Sequence, residues 1–283
     1  MRKKILFTAF ILLSIHTLAQ EPIDTSWKSG GVINLNFSQV NLSQWAQGGE
    51  NSIALGSLFL GFANYEKDKV AWSNSLKLSY AFIKSGDEHL KKNDDQIDLT
   101  SKLSRKFAEK WYYSGLFNFK SQFAKGYLYP DDSNVVSTFL APGYVTLALG
   151  INFKPVDYFE VFLSPLTMKY TIVNDQRLAD LGAYGVHPGD KTRSEFGAYM
   201  NIRFKKDLVE NVTFLTKVEL FNNYSDDDPS NRGNIDVFWD AGLVMKVNKW
   251  LNATITTQLI YDDDIIQRTQ FKESLGIGLG YTF

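Results

Sequence analysis

From Gly31 onward, apolar residues recur at every second position along much of this chain. In the stretch from Trp72 to Phe82 the even positions are mainly large and apolar, while Ser73, Ser75, Lys77 and Ser79 hold odd ones. Ile235, Val237, Trp239, Ala241, Leu243, Met245 and Val247 alternate with a set that includes Asn234, Asp236, Asp240 and Lys246. At the end of the chain Phe271, Leu275, Ile277, Leu279, Tyr281 and Phe283 oppose Lys272, Ser274, Gly276, Gly278, Gly280 and Thr282. A pleated strand sends successive side chains to opposite faces, so each segment has one apolar and one polar face. The pattern predicts twelve strands near 31–41, 51–65, 70–84, 95–107, 110–124, 142–153, 158–171, 193–205, 210–222, 234–247, 250–261 and 271–283. Pro165 cannot donate to a ladder, so the seventh strand should carry a bulge or a break.

The connections alternate too. Short turns near 66–69, 108–110, 154–157, 206–209 and 247–250 interleave with longer polar loops near 42–50, 85–94, 125–141, 172–192, 223–233 and 262–270. One trimmed end and one elaborated end is the asymmetry of an outer-membrane β-barrel. A soluble sandwich or cavity barrel also alternates, with its apolar face inward. Many of these strands, however, run well beyond the usual five or six residues. Aromatic rings also collect at strand ends, as in Trp72 and Phe82, Trp111 and Phe123, or Phe159 and Tyr170. The expectation is therefore all-β: a single closed antiparallel transmembrane barrel of twelve strands.

If lipid covers the apolar face, most charges must turn inward, because a Lys at the lipid midplane costs about 2–4 kcal/mol. Parity places Lys77, Lys102, Lys106, Lys120, Arg203, Lys205, Lys217, Lys246 and Lys272 on the inner face with Asp98, Glu160, Glu195, Glu219, Asp236 and Asp240. Lys84, Arg105, Lys169, Glu210 and Glu273 fall on the outer face, each within a few residues of a strand end. Twelve tilted strands leave a gap on the order of 10 Å between the side chains of facing walls. Such a gap suits a narrow pore for small solutes. It also suits a closed lumen filled by an ion-pair lattice, because charges withdrawn from water need partners. Gly276, Gly278 and Gly280 leave a groove on the inner face of the last strand, which a loop, the leader or a narrow path could occupy.

Arg2, Lys3 and Lys4 precede the mostly apolar run from Ile5 to Leu13, and Thr17-Leu18-Ala19 offers a cleavage site. This predicts a signal peptide over 1–19, a short periplasmic leader over 20–30 and a barrel domain over 31–283. Cleavage removes three of the 30 basic side chains and none of the 31 acidic ones. The remaining acidic balance gives no reason to expect nucleic acid as a partner. The absence of cysteine excludes disulfides, thiolate metal sites and cysteine nucleophiles.

Candidate chemistry is sparse. His89 and His187 are the histidines after Ala19, both in predicted loops and outside any metal-protease, hydrolase or phosphate-loop spacing. No cofactor is expected, and a surface enzyme would need His187 beside a nucleophile or metal. The loop tips are acidic: Asp131-Asp132, Asp226-Asp227-Asp228 and Asp262-Asp263-Asp264. The last two triplets are weak candidates for a hard divalent cation, or for bridging through one to lipopolysaccharide. Solvated turns are the plainer reading.

The segment from Phe37 to Ser52, with Gln39, Trp45, Gly48, Gly49 and Asn51, resembles the opening signature of an uncharacterised family of porin-like barrels. The resemblance places that family in the outer membranes of the Bacteroidota. Leu178 to Val186, Asp236 to Trp250 and Gly278 to Phe283 extend it over essentially the mature chain. It implies location and fold, with no activity, ligand or catalytic set. A terminal Phe283 resembles the recognition signal of the outer-membrane assembly machinery. Trp45 with Gln47-Gly48-Gly49 reads either as a tight first loop packing an indole at the barrel mouth or as a docking surface for an envelope protein.

Overall fold

The computed structural model describes residues 26–43 and 49–283. The predicted signal peptide and most of the leader lie outside them, as do Trp45 and Gly48. The chain forms β1 (Trp27–Val40), β2 (Ser52–Lys67), β3 (Val70–Ser85), β4 (Lys91–Ala108) and β5 (Trp111–Ser121). A small ribbon of β6 (Gly126–Leu128) and β7 (Asp131–Ser137) follows, then β8 (Gly143–Val156) and β9 (Phe159–Ile172). After the one-turn helix α1 (Gln176–Asp180) come β10 (Thr192–Val209), β11 (Val212–Asn223), β12 (Asp236–Lys246), β13 (Leu251–Asp262) and β14 (Ile266–Thr282). All except β6 and β7 join in one closed antiparallel barrel, in chain order, with β14 returning to β1. All twelve alternating segments are strands of that barrel.

Besides β4, which begins at Lys91 where 95 is expected, and β10, which ends at Val209 where 205 is expected, three features differ from the sequence reading. β1 starts at Trp27, so the last residues assigned to the leader belong to the wall. β14 starts at Ile266, which shrinks the expected 262–270 loop to a turn. The loop after β5 carries its own ribbon, β6 with β7. At the other end the strands join through turns of two to four residues, where Asp68 and Asn211 take the left-handed conformation (φ 53° and 64°). Asp and Asn tolerate that region better than bulkier residues do.

Pro165 does produce a bulge. Thr167 pairs with Gly197, but Ser164 pairs with Tyr199, so β9 spends an extra residue against β10. The same step appears against β8. Pro165 and Leu166 are both exposed, and the inward set changes from Glu160, Phe162 and Ser164 to Thr167, Lys169 and Thr171. Lys169, expected on the outer face, is therefore turned inward.

The outer surface is a belt of exposed apolar side chains, with Leu149 62%, Leu163 46% and Leu275 67% exposed at mid-wall positions. Rings gather near the short-turn end: Trp27 lies 5.4 Å from Tyr65 and 5.8 Å from Trp72, and Phe107 lies 4.3 Å from Tyr113. No described helix is long and apolar enough to cross a membrane, which says nothing about a barrel. The glycine groove of β14 is filled by neighbouring strands. Asn36 lies against Gly276 and Gly278, and Asn34 and Asn252 lie against Gly280. Asn252 donates to Asn34 across that position at 3.0 Å. A Cβ at Gly280 has no room there.

Deleting Pro165 removes the extra residue of the bulge, so Ser164, Thr167 and Lys169 alternate without interruption, Lys169 should stay on the inner face, and the folded, heat-modifiable band on unheated gels should persist. Pro165→Ala, which keeps the residue count, should retain the band. Loss of the band in the deletion variant, with Pro165→Ala still folded, would refute the parity assignment.

Candidate functional site: a cross-braced lumen

Lys120 of β5 binds Glu219 of β11, and Lys217 of β11 reaches Asp98 of β4 at 2.8 Å. These strands are not neighbours in the ring, so each bond crosses the lumen. At mid-height Lys217 also lies 3.4 Å from Glu219, and Lys77 lies 3.7 Å from Asp240 on the far wall. Asn118 donates to Asp98 at 2.6 Å, and the Tyr199 hydroxyl donates to Glu219 at 2.9 Å. Nearer the short turns, buried Lys102 reaches Glu160 at 2.8 Å and donates to Asn152 at 3.1 Å. Arg203 lies 3.9 Å from the same Glu160. Lys205 stands 5.5 Å from the ring of Phe62, on the diametrically opposed strand β2.

A third tier lies toward the loops. Lys169 holds Asp236 at 2.7 Å, Asp262 at 3.4 Å and Glu195 at 3.5 Å. Arg193 holds Asp264 at 2.8 Å, Asp226 at 3.4 Å and Glu195 at 3.7 Å. Of the fifteen charges that parity assigns to the inner face, eleven meet in this lattice of ion pairs, Lys205 stands over Phe62 and Lys272 pairs with Asp94, while Lys106 and Lys246 take no part in it. Periodicity did not reveal an aromatic and aliphatic packing layer within it: Leu116, Ala148, Phe162, Tyr199 and Phe221 form one buried cluster. Phe238 belongs with them, its ring 3.7 Å below the Lys120 ammonium, a cation–π contact. Their signal was available. Phe238 sits between Asp236 and Asp240, and Tyr199 shares the parity of Glu195 and Arg203.

Above the mid-height braces, beside the third tier, two adjoining chambers of about 290 Å³ each share Lys120, Pro142, Tyr144, Phe238 and Ile260 in their walls. The two longest loops roof them. Ala141, Val173, Leu178, Ala179 and Val186 make a small core of their own, with Tyr184 packed on it. Asp175 caps α1 by accepting from the Leu178 N–H at 3.1 Å. Arg177 donates to the carbonyl of Val135, and the Tyr184 hydroxyl to that of Val136 at 2.6 Å. Burial pushes the Tyr184 phenol up to about 12, so it keeps this proton through the neutral range.

The acidic loop residues are distributed among protein partners. Asp226 and Asp264 face Arg193, and Asp262 faces Lys169. Asp263 accepts from Asn234, and Asp228 accepts from the Ser230 backbone and hydroxyl, which hold its carboxyl below the usual range. Burial raises the Asp264 carboxyl despite the adjacent guanidinium. Among the described residues no group of three or more His, Cys, Asp or Glu could hold a metal ion. His187 is exposed and lies 3.2 Å from exposed Asp227. Of the signature residues, Gln39 pairs with Ile53 at the loop end of β1, Gly49 takes φ 118°, and the Asn51 side chain accepts from the Leu42 N–H at 2.6 Å.

This geometry defines a closed twelve-strand antiparallel barrel with a filled lumen. A family model described as a protein of unknown function (DUF3078) matches residues 37–127. No curated protein matches the chain. Among solved structures, an outer-membrane channel from Pseudomonas putida F1 is similar at 12% identity and TM-score 0.40, over 90% of this chain and 94% of that one. The Neisseria meningitidis NalP autotransporter translocator domain shows 12% identity and TM-score 0.37, over 92% and 89%. Outer membrane phospholipase A from Escherichia coli shows 13% identity and TM-score 0.37, over 89% and 95%.

Glu219→Gln leaves Lys120 and Lys217 short of their shared carboxylate and should destabilise the barrel by about 3–5 kcal/mol in urea titrations of vesicle-folded protein. The combined change Lys120→Met with Glu219→Leu should lose less than the single one. Unchanged stability in Glu219→Gln would mean that the brace carries no load.

Proposed function

We propose that the protein is an outer-membrane barrel of the Bacteroidota, exported by a signal peptide over 1–19, whose lumen is closed to free diffusion. It acts as a partner- or ligand-binding barrel from its loop end. The cross-lumen lattice carries this reading: three tiers of charge pairs and a layer of packed rings occupy the space a channel would need. The exposed apolar belt, with rings near one edge, supports immersion in lipid and contact with lipopolysaccharide. Phe283 closes the wall by exchanging two backbone bonds with Gly31 at 3.0 and 3.1 Å, which suits recognition of the last strand by the assembly machinery. The interlocked loops offer a rigid face to an envelope protein partner.

A narrow pore for small solutes is the second reading. Asn34 Nδ2, Ser79 Oγ, Asn201 Oδ1 and Arg203 Nε are buried without a protein partner, and water is the natural ligand for such atoms. A hydrated thread past the braces is compatible with them. A surface enzyme has less support: His187 is exposed, and the group 3.2 Å from it is the exposed carboxylate of Asp227, not a hydroxyl.

Two measurements test these statements separately. Purified protein in planar bilayers should give no stepwise current, and resolved steps from intact protein would decide for the pore. Leu149→Lys, at the middle of β8 on the outer face, should cost about 2–4 kcal/mol in vesicles. A neutral result there would remove the lipid from the outer face.

A further inference from the structure

The seam between β1 and β14 is only partly sewn. Their ladder comprises five paired positions, from Val32 with Thr282 to Asn36 with Gly278, extended at the chain end only by the two backbone bonds between Gly31 and Phe283. The other barrel ladders comprise ten to sixteen. Above Asn36 and Gly278, Phe37–Val40 of β1 and Ile266–Ile277 of β14 have no partner across this seam among the described residues. The gap lies at the height of the apolar belt, since Phe37, Leu275 and Ile277 beside it point outward and are 57%, 67% and 60% exposed. On the inner face of β14, Gln270, Lys272 and Ser274 are exposed as well, although they pair with half-buried Ile260, Gln258 and Thr256 of β13.

Unpaired backbone N–H and C=O groups cannot face hydrocarbon alone. They are tolerated in a membrane wall where they line a water-filled cavity. Such a cavity stands directly behind: Lys272 lines one loop-side chamber and Gln270 the other. The slot is therefore polar along its edges and apolar on its outer lips. This combination passes a hydrogen-bonding head while leaving a hydrocarbon tail outside. Paired charges and amides inside, including Asp94, Asp95, Gln96 and Gln258, suit a zwitterionic or sugar-bearing head better than a bare anion. Lys272 is bonded to Asp94 of β4, across the chord that separates the chamber from β1, β2 and β3. That pair is a latch at the inner mouth of the slot.

We propose that the β1–β14 seam is a lateral portal through which the polar head of an acyl-chain amphiphile of the outer leaflet enters the loop-side chamber, its tail remaining in the membrane. The proposal rests on the outer-membrane reading and deepens the binding function assigned to this end of the barrel. It needs no conducting lumen, since head entry stops at the mid-height braces.

The full chain is placed in phosphatidylcholine nanodiscs carrying a photoreactive residue, Gln270→p-benzoylphenylalanine, inside the chamber. The same residue at the outward position Leu275→p-benzoylphenylalanine serves as the lipid-facing reference. Both proteins also carry Phe37→Cys and Ile277→Cys, the next pair in register. These are locked by oxidation or, where the gap exceeds disulfide reach, by a bismaleimide. Phosphatidylcholine should crosslink at both positions in the unlocked protein. Locking should reduce the crosslink at 270 by about five-fold or more while sparing that at 275. Asp94→Asn, which releases Lys272, should raise the crosslink at 270. Crosslinking at 275 without any at 270, or at 270 regardless of the lock, overturns the portal alone. Absence of lipid crosslinks at both positions overturns the membrane reading beneath it.

Discussion

A charge on the inside of a closed sheet can find its counter-charge only on another part of the same wall. Withdrawn from water and unpaired, it costs several kcal/mol. This constraint organises the barrel. Lys217 finds Asp98 five strands away around the ring, and Lys120 finds Glu219 across four. Each such bond fixes a distance between two walls. Together the tiers set the cross-section of the tube as much as its backbone ladders do.

The same constraint explains why the interior is crowded. A ring of like charges would repel itself and hold a path open. Here the signs alternate across the lumen, and Phe162, Tyr199, Phe221 and Phe238 occupy the space between them. What room remains is at the loop end, above Lys120 and Phe238 and below the roof formed by the 122–142 and 173–191 loops. The chemistry the protein can offer a ligand is therefore concentrated on one side, where mixed charges, amides and rings meet.

Much of the wall was legible in the sequence, because a two-residue period is a local property and all twelve strands carry it. Parity alone pointed to eleven of the charges that meet in the lattice, and also to Lys106 and Lys246, which do not. It misplaced Lys169, since a single extra residue at Pro165 inverts parity for the rest of β9, and the proline announces a bulge without giving its phase. Partner choice was not legible either. Whether Lys217 meets Asp98 or Asp240 depends on how the sheet is sheared when it closes, a property of all strands together. The roof was hidden for a similar reason: Arg177 and Tyr184 bind main-chain carbonyls of residues some 42 to 48 positions earlier, a partner class that carries no side-chain signature.

That roof has a consequence for assembly. The two loops it joins flank the β8–β9 hairpin, so Tyr184 meets Val136, and Val173 meets Ala141, only after β8 and β9 have found their register, bulge included. A slip of one position would carry the second loop away from the first and leave Val173, Leu178 and Val186 bare. The cap thereby works as a proofreading device for a strand pair whose phase a proline has disturbed.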